Sequence, residues 1–129
     1  MVFSSFAPIA ACVLGLSGVS GLSGVAAPQL PASTLQLSLH ETTGRLSSVS
    51  LTCDPAGGSH PESNAACATL TGVDGDIAHI KPRLQRCTMI YSPVDAAAFG
   101  TWHGKPVTFH ATFSNKCAAD AQTAGVFGF

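Results

Sequence analysis

Charge is what this chain has least of. Only 10% of its 129 residues are Asp, Glu, Lys or Arg, against roughly 25% in an average globular protein. Six basic and seven acidic residues leave a formal net charge of −1. That balance excludes the strongly basic face that meets phosphates, and so argues against a nucleic-acid partner. It equally excludes an acidic disordered tail. No run of 18 or more residues is apolar enough for a membrane span, so no membrane partner is expected for the mature form. Catalytic signatures are missing too: there is no G-x-S-x-G, no H-E-x-x-H and no G-x-x-x-x-G-K. His40-Glu41 lacks a second histidine four residues on, and the five histidines, at 40, 60, 79, 103 and 110, are scattered. They read as exposed or strand-face side chains rather than an assembled site. Asp74-Gly75-Asp76 lacks the further oxygen ligands of a calcium loop and reads as a polar turn. Neither an enzyme nor a bound cofactor or metal is expected.

What charge there is lies in one part of the chain. Residues 1–39 carry none, and the first ionised side chain is Glu41. Residues 7–27 run from an apolar stretch (Ile9 to Leu16) through small residues to Val25-Ala26-Ala27. That is the shape of a secretory signal with its cleavage site, although no Lys or Arg precedes it. Residues 1–27 are therefore expected to be a removed leader, 28–34 a flexible arm and 35–129 the folded, secreted domain. Two other readings of the leader are a Gly/Ser-type linker, from GLSGVSGLSGV, and a lipid anchor at Cys12.

Of the five cysteines, Cys12 would leave with the leader. Cys53, Cys67, Cys87 and Cys117 remain, and an even number in an exported domain of this size reads as two disulfides. Sequence alone leaves three pairings open. Zinc would ask for close ligand pairs such as C-x₂-C, and none is present.

Periodicity supplies the outline. Residues 34–40 (TLQLSLH) alternate apolar and polar, as do Val49, Leu51 and Cys53, and Val107, Phe109, Ala111 and Phe113. Such alternation predicts half-buried strands. Gly125 to Phe129 can form a short final strand, and Trp102-His103-Gly104-Lys105 a turn between two strands. Pro61 suits the first turn of a helix capped by Ser59 or His60 and running to about Thr71. A second short helix follows Asn115 through Ala118 to Gln122. The expected class is α+β: an antiparallel sheet of about five strands with two short helices on one face.

The segment Arg86-Cys87-Thr88-Met89-Ile90-Tyr91-Ser92-Pro93 carries the functional information. Thr88 and Ile90 are β-branched and favour extended backbone, and Pro93 biases Ser92 the same way. A disulfide at Cys87 would tie the segment to a distant part of the chain. Extended, covalently braced chain is what a protease cleft binds; the plainer alternative is a buried strand with a disulfide.

Six ordered pieces place the segment in context. They are Leu51-Thr52-Cys53, Gly58-Ser59-His60-Pro61 leading to Ala66-Cys67, Cys87 to Val94, Trp102-His103-Gly104-Lys105, Phe113-Ser114-Asn115-Lys116-Cys117, and Val126-Phe127-Gly128-Phe129. With them, from about Leu35 to Phe129, the chain resembles the Streptomyces subtilisin inhibitor family of serine-protease inhibitors. The resemblance implies a five-stranded antiparallel sheet with two helices, a homodimer joined through its sheets, and disulfides Cys53–Cys67 and Cys87–Cys117. Loops of 14 and 30 residues so closed are worth roughly 3 and 3.6 kcal/mol by chain entropy. It further implies a reactive bond at Met89-Ile90. Met89 would fill the protease's primary pocket, with Thr88, Cys87 and Arg86 before it and Ile90 and Tyr91 after it. Asn115 matches a residue that supports the loop from behind. The partner implied is a serine protease of the subtilisin type, or one like chymotrypsin, with an apolar primary pocket. Arg86 departs from the family, which usually carries an apolar residue there; His103 and the run Asp95 to Phe99 are also not the commonest family residues. A second reading is a secreted binding or structural module that keeps the scaffold and has lost inhibition.

Overall fold

The computed structural model describes residues 29–129; the leader, its cleavage site and Cys12 lie outside the described residues. Five strands form one antiparallel sheet: β1 (Ser33–Glu41), β2 (Leu46–Cys53), β3 (Gly57–Gly58), β4 (Val94–Trp102) and β5 (Lys105–Phe113). Their order across the sheet is β3-β2-β1-β4-β5. β1 begins inside the segment expected to be a flexible arm, since Ser33 and Thr34 already pair with Cys53 and Thr52.

Alternation along β1 decides which face is covered. Leu35, Leu37 and Leu39 are buried, while Thr34, Gln36 and His40 are exposed. Full burial of each leucine stabilises the fold by about 1.5–3 kcal/mol. Ala96 and Ala98 of β4 and Leu51 of β2 point to the same core. Two helices lie over it: α1 (Ser63–Gly72) and α2 (Lys116–Gln122). α1 packs on β2 and β3, and α2 on β4 and β5. The buried residues of α1, Ala66, Cys67 and Leu70, share one helical stripe.

The turn between β4 and β5 is the two-residue hairpin expected from Trp102 to Lys105. His103 and Gly104 both adopt positive φ, 46° and 81°, as a type I′ connection requires. Trp102 turns inward, and its Nε1–H donates to Asp74 Oδ1 at 3.2 Å. Gly75 passes so close beneath that a Cβ there would lie 2.4 Å from Trp102 Cγ. Lys105 Nζ donates to the other oxygen of Asp74. The Lys105 ammonium, by that hydrogen bond and by its charge, holds the Asp74 carboxyl below its ordinary value.

Three expectations need correction. Gly125 to Phe129 is not a strand. Ala124 and Gly125 take positive φ, successive turn hydrogen bonds follow, and Val126 and Phe127 plug the core side by side instead of alternating. The fifth strand is instead the pair Gly57–Gly58, inside what reads as a loop. α1 begins at Ser63 rather than at Pro61, with no side-chain cap from Ser59. His60 contributes differently from either reading of it: it is buried, its Nδ1 accepts from the Glu62 N–H at 2.9 Å, and its Nε2 lies 2.9 Å from Val126 O. A carbonyl can only accept, so the proton sits on Nε2.

Candidate functional site

Residues 80–93 leave the regular structure altogether and cross the end of the molecule between the short 3₁₀ turn Ile77–His79 and β4. A buried strand is thereby ruled out for Arg86 to Pro93. Met89 is 97% exposed, Ile90 66% and Tyr91 77%. The backbone that carries them is held on both sides.

The first hold is covalent. Cys87 and Cys117 are bonded, with their Cα atoms 5.5 Å apart; Cys53 and Cys67 form the other disulfide, 14 residues apart. Both are the pairings the resemblance implies. Cys117 lies in the first turn of α2, so the disulfide sets the loop against a helix anchored in the core.

The second hold is Asn115. It is 7% exposed, and its amide works at both ends. Oδ1 accepts from the Ala118 N–H at 2.8 Å, which caps α2. Nδ2 donates to the carbonyls of Thr88 at 3.2 Å and Ile90 at 2.9 Å. Those carbonyls stand on either side of Met89. The Thr88 hydroxyl adds a local tie by accepting from the Ile90 N–H at 3.2 Å, and the Ser92 N–H donates to Ser114 O at 2.8 Å. Behind the loop is a cavity of about 260 Å³ lined by Glu41, Thr88, Ile90, Ser92, Asn115 and Lys116.

A third hold was not visible in the sequence. The Arg83 N–H donates to Ala121 O at 2.9 Å. The Arg83 guanidinium bonds Asp120 at 2.5 Å and Gln85 at 2.9 Å, and Gln85 reaches Asp120 in turn. A signal existed once the Cys87–Cys117 pairing is granted. Asp120 is one helical turn beyond Cys117, and Gln85 is two residues before Cys87, so extended chain presents both to the same side.

The other residues weighed as sites stay apart from the loop. His40 and His110 are exposed on the sheet. Asp76 pairs with His79, His103 with Asp54, and Asp74 with Trp102 and Lys105. Nothing in the loop resembles a catalytic or metal-binding group. It is a displayed peptide, fixed at its flanks and open along one side.

Comparison with known proteins decides what family this display belongs to. The family model described as subtilisin inhibitor-like matches residues 31–115. The chain belongs to the subtilisin inhibitor-like family. It is 35% identical to the subtilisin inhibitor of Streptomyces albogriseolus over 128 residues, covering 97% of this chain and 88% of that one. It is 45% identical to subtilisin inhibitor-like protein 4 of Streptomyces lavendulae over 83 residues, covering 63% and 72%. Among solved structures it resembles Streptomyces caespitosus sermetstatin, crystallised in complex with Bacillus licheniformis subtilisin. The TM-score is 0.58 at 26% identity, covering 75% of this chain and 96% of that chain.

Proposed function

We propose that this protein is a secreted inhibitor of subtilisin-type serine proteases that offers Met89-Ile90 as its reactive bond. The observation that carries this is the Asn115 amide, hydrogen-bonded to the carbonyl on each side of Met89. An ordinary substrate loop loses conformational freedom when it binds and departs when it is cut. This loop has surrendered that freedom in folding, so association costs less and binding is tight. Contacts of a standard size, about 1,600 Å², suffice for nanomolar or tighter affinity in such complexes.

Cleavage also becomes reversible. The protease's serine attacks the Met89 carbonyl and the Ile90 nitrogen leaves as an amine. The acyl side remains tied through Thr88 O and the Cys87–Cys117 disulfide, the amine side through Ile90 O and the Ser92–Ser114 bond. Both fragments are held by one asparagine. The amine therefore stays beside the acyl-enzyme, and religation competes with hydrolysis.

Met89 would enter the primary pocket, with Thr88, Cys87 and Arg86 on its acyl side and Ile90 and Tyr91 on the other. Its unbranched, uncharged side chain suits an apolar pocket. The test exchanges that side chain. Met89→Lys should create inhibition of trypsin, whose pocket carries a buried carboxylate, while the broad subtilisin pocket still accepts the lysine stem. Met89→Asp should weaken inhibition of both enzymes, since a buried unpaired carboxylate costs several kcal/mol. Circular dichroism should show one fold for all three. Equal inhibition of subtilisin by all three proteins would place the reactive bond elsewhere.

The assembly we propose is a homodimer joined through the open face of the sheet. Support comes from the resemblance and from Phe99, 61% exposed in the middle of that face between Gln36 and Thr108.

A further inference from the structure

We infer that the protease this loop is built for has an apolar primary pocket and a carboxylate in the pocket that takes the fourth residue before the cut bond. The inference rests on the inhibitory function proposed above and names the target's chemistry. Arg86 occupies that fourth position.

The anchors of the loop fix which way it faces. Arg83 and Gln85 are tied to Asp120, and Cys87 is bonded to Cys117. Residues 83, 85 and 87 thus face α2. Extended chain alternates, so Leu84 and Arg86 face away from α2, and both are exposed. Among the described residues Arg86 has no carboxylate within ion-pair distance. Its guanidinium supports nothing in the fold and stands free for a partner.

The surroundings have the same sign. Residues 80–93 contain Lys81, Arg83 and Arg86 and no acidic residue. Lys116 borders the cavity behind Thr88 and Ile90. Four of the six basic residues in the chain therefore belong to the loop or its support. Against them stand Asp120, engaged by Arg83, and Glu41, 3.9 Å from Arg45. With Arg83 engaged by Asp120, Lys81, Arg86 and Lys116 leave the loop and its support with more basic than acidic groups.

An apolar fourth pocket would have to strip water from the guanidinium without replacing its hydrogen bonds. A carboxylate there would pair with it in two parallel bonds, and the surrounding cations would speed encounter with an acidic rim.

The experiment uses the full secreted protein, as wild type and as Arg86→Met. Each is titrated against subtilisin, whose fourth pocket is apolar, and against a subtilisin variant with a glutamate introduced into that pocket. Arg86→Met should tighten inhibition of ordinary subtilisin about fivefold. It should weaken inhibition of the acidic-pocket variant by about tenfold or more, and wild type should associate with that variant more slowly as salt is raised. The reversal of sign is the result that supports the inference. A change of the same sign on both proteases, or none on either, overturns it while leaving the inhibitor function standing. Wild type that inhibits neither protease overturns both.

Discussion

At the scale of single residues, Asn115 separates two roles that a simple deletion would confuse. Its oxygen caps α2 and its nitrogen holds the loop. Asn115→Asp keeps the capping oxygen and removes both donors; Asn115→Ala removes everything. Two hydrogen bonds at about 0.5–1.5 kcal/mol each translate to roughly tenfold to hundredfold faster cleavage of the bound loop. Asn115→Asp is therefore expected to keep the cap, to melt below wild type because a buried carboxylate faces the Thr88 and Ile90 carbonyls, and to be consumed by subtilisin as a slow substrate. Asn115→Ala should show the same loss of inhibition plus about 1 kcal/mol of instability from the lost cap. Thermal melts and the time course of inhibition measure the two effects separately. An Asn115→Asp protein that stays a lasting inhibitor would remove Asn115 from the mechanism. Local pattern places Asn115 at the start of α2 but does not announce its hold on the loop: the groups it holds are 25 and 27 positions away, and only the resemblance to a known family pointed to that role.

Among the elements, the ones legible in the sequence were those whose burial is one-sided. Leu35, Leu37 and Leu39 alternate because β1 has one covered face and one open face. His103-Gly104 marks a hairpin because both positions need positive φ. Where burial is not one-sided, the pattern fails. Val126 and Phe127 are consecutive and both buried, so they mimic a strand while the backbone turns. Gly57–Gly58 pairs through its backbone alone and has no side-chain signature. The contact of the Asp74 turn with the β4–β5 hairpin is another link invisible in sequence, and it is testable by pH. Because Lys105 lowers the folded-state pKa of Asp74 below the ordinary 3.8, the stabilisation is fully present above that value. It disappears as pH falls through the lower, folded-state pKa. Asp74→Asn can still accept from Trp102 but carries no charge. Wild type should therefore melt higher than Asp74→Asn at pH 6, with the gap closing toward pH 2. A gap that persists unchanged at the lowest pH would show that the ion pair is not its source.

For the whole molecule, the division of labour is spatial. One face of the sheet is covered by both helices, and the loop is stretched over one end between the core and α2. The other face is open. The proposed dimer uses that open face and leaves the loop free, so replacing Phe99 by Asp should break the dimer without touching inhibition. Sedimentation equilibrium should give twice the chain mass for wild type and the single-chain mass for Phe99→Asp, with equal titration of subtilisin per chain. A wild-type protein that sediments as a single chain would refute the dimer. Among the described residues no helix is long and apolar enough to cross a membrane.

From local pattern the proposed site was legible only as a segment with extended tendencies and a cysteine, and its reactive bond came from the family resemblance alone. What makes it a site, exposure at Met89 together with restraint on both sides, is a property of the assembled fold. The most direct test is therefore to let a catalytic amount of subtilisin act on the purified protein at mildly acidic pH until cleavage reaches equilibrium, and then to sequence the new N-terminus. One new N-terminus is expected, beginning at Ile90, with the two pieces still joined through Cys87–Cys117 and still able to inhibit. A first cut at any other bond, or a cut protein that no longer inhibits, would contradict Met89-Ile90 as the reactive bond.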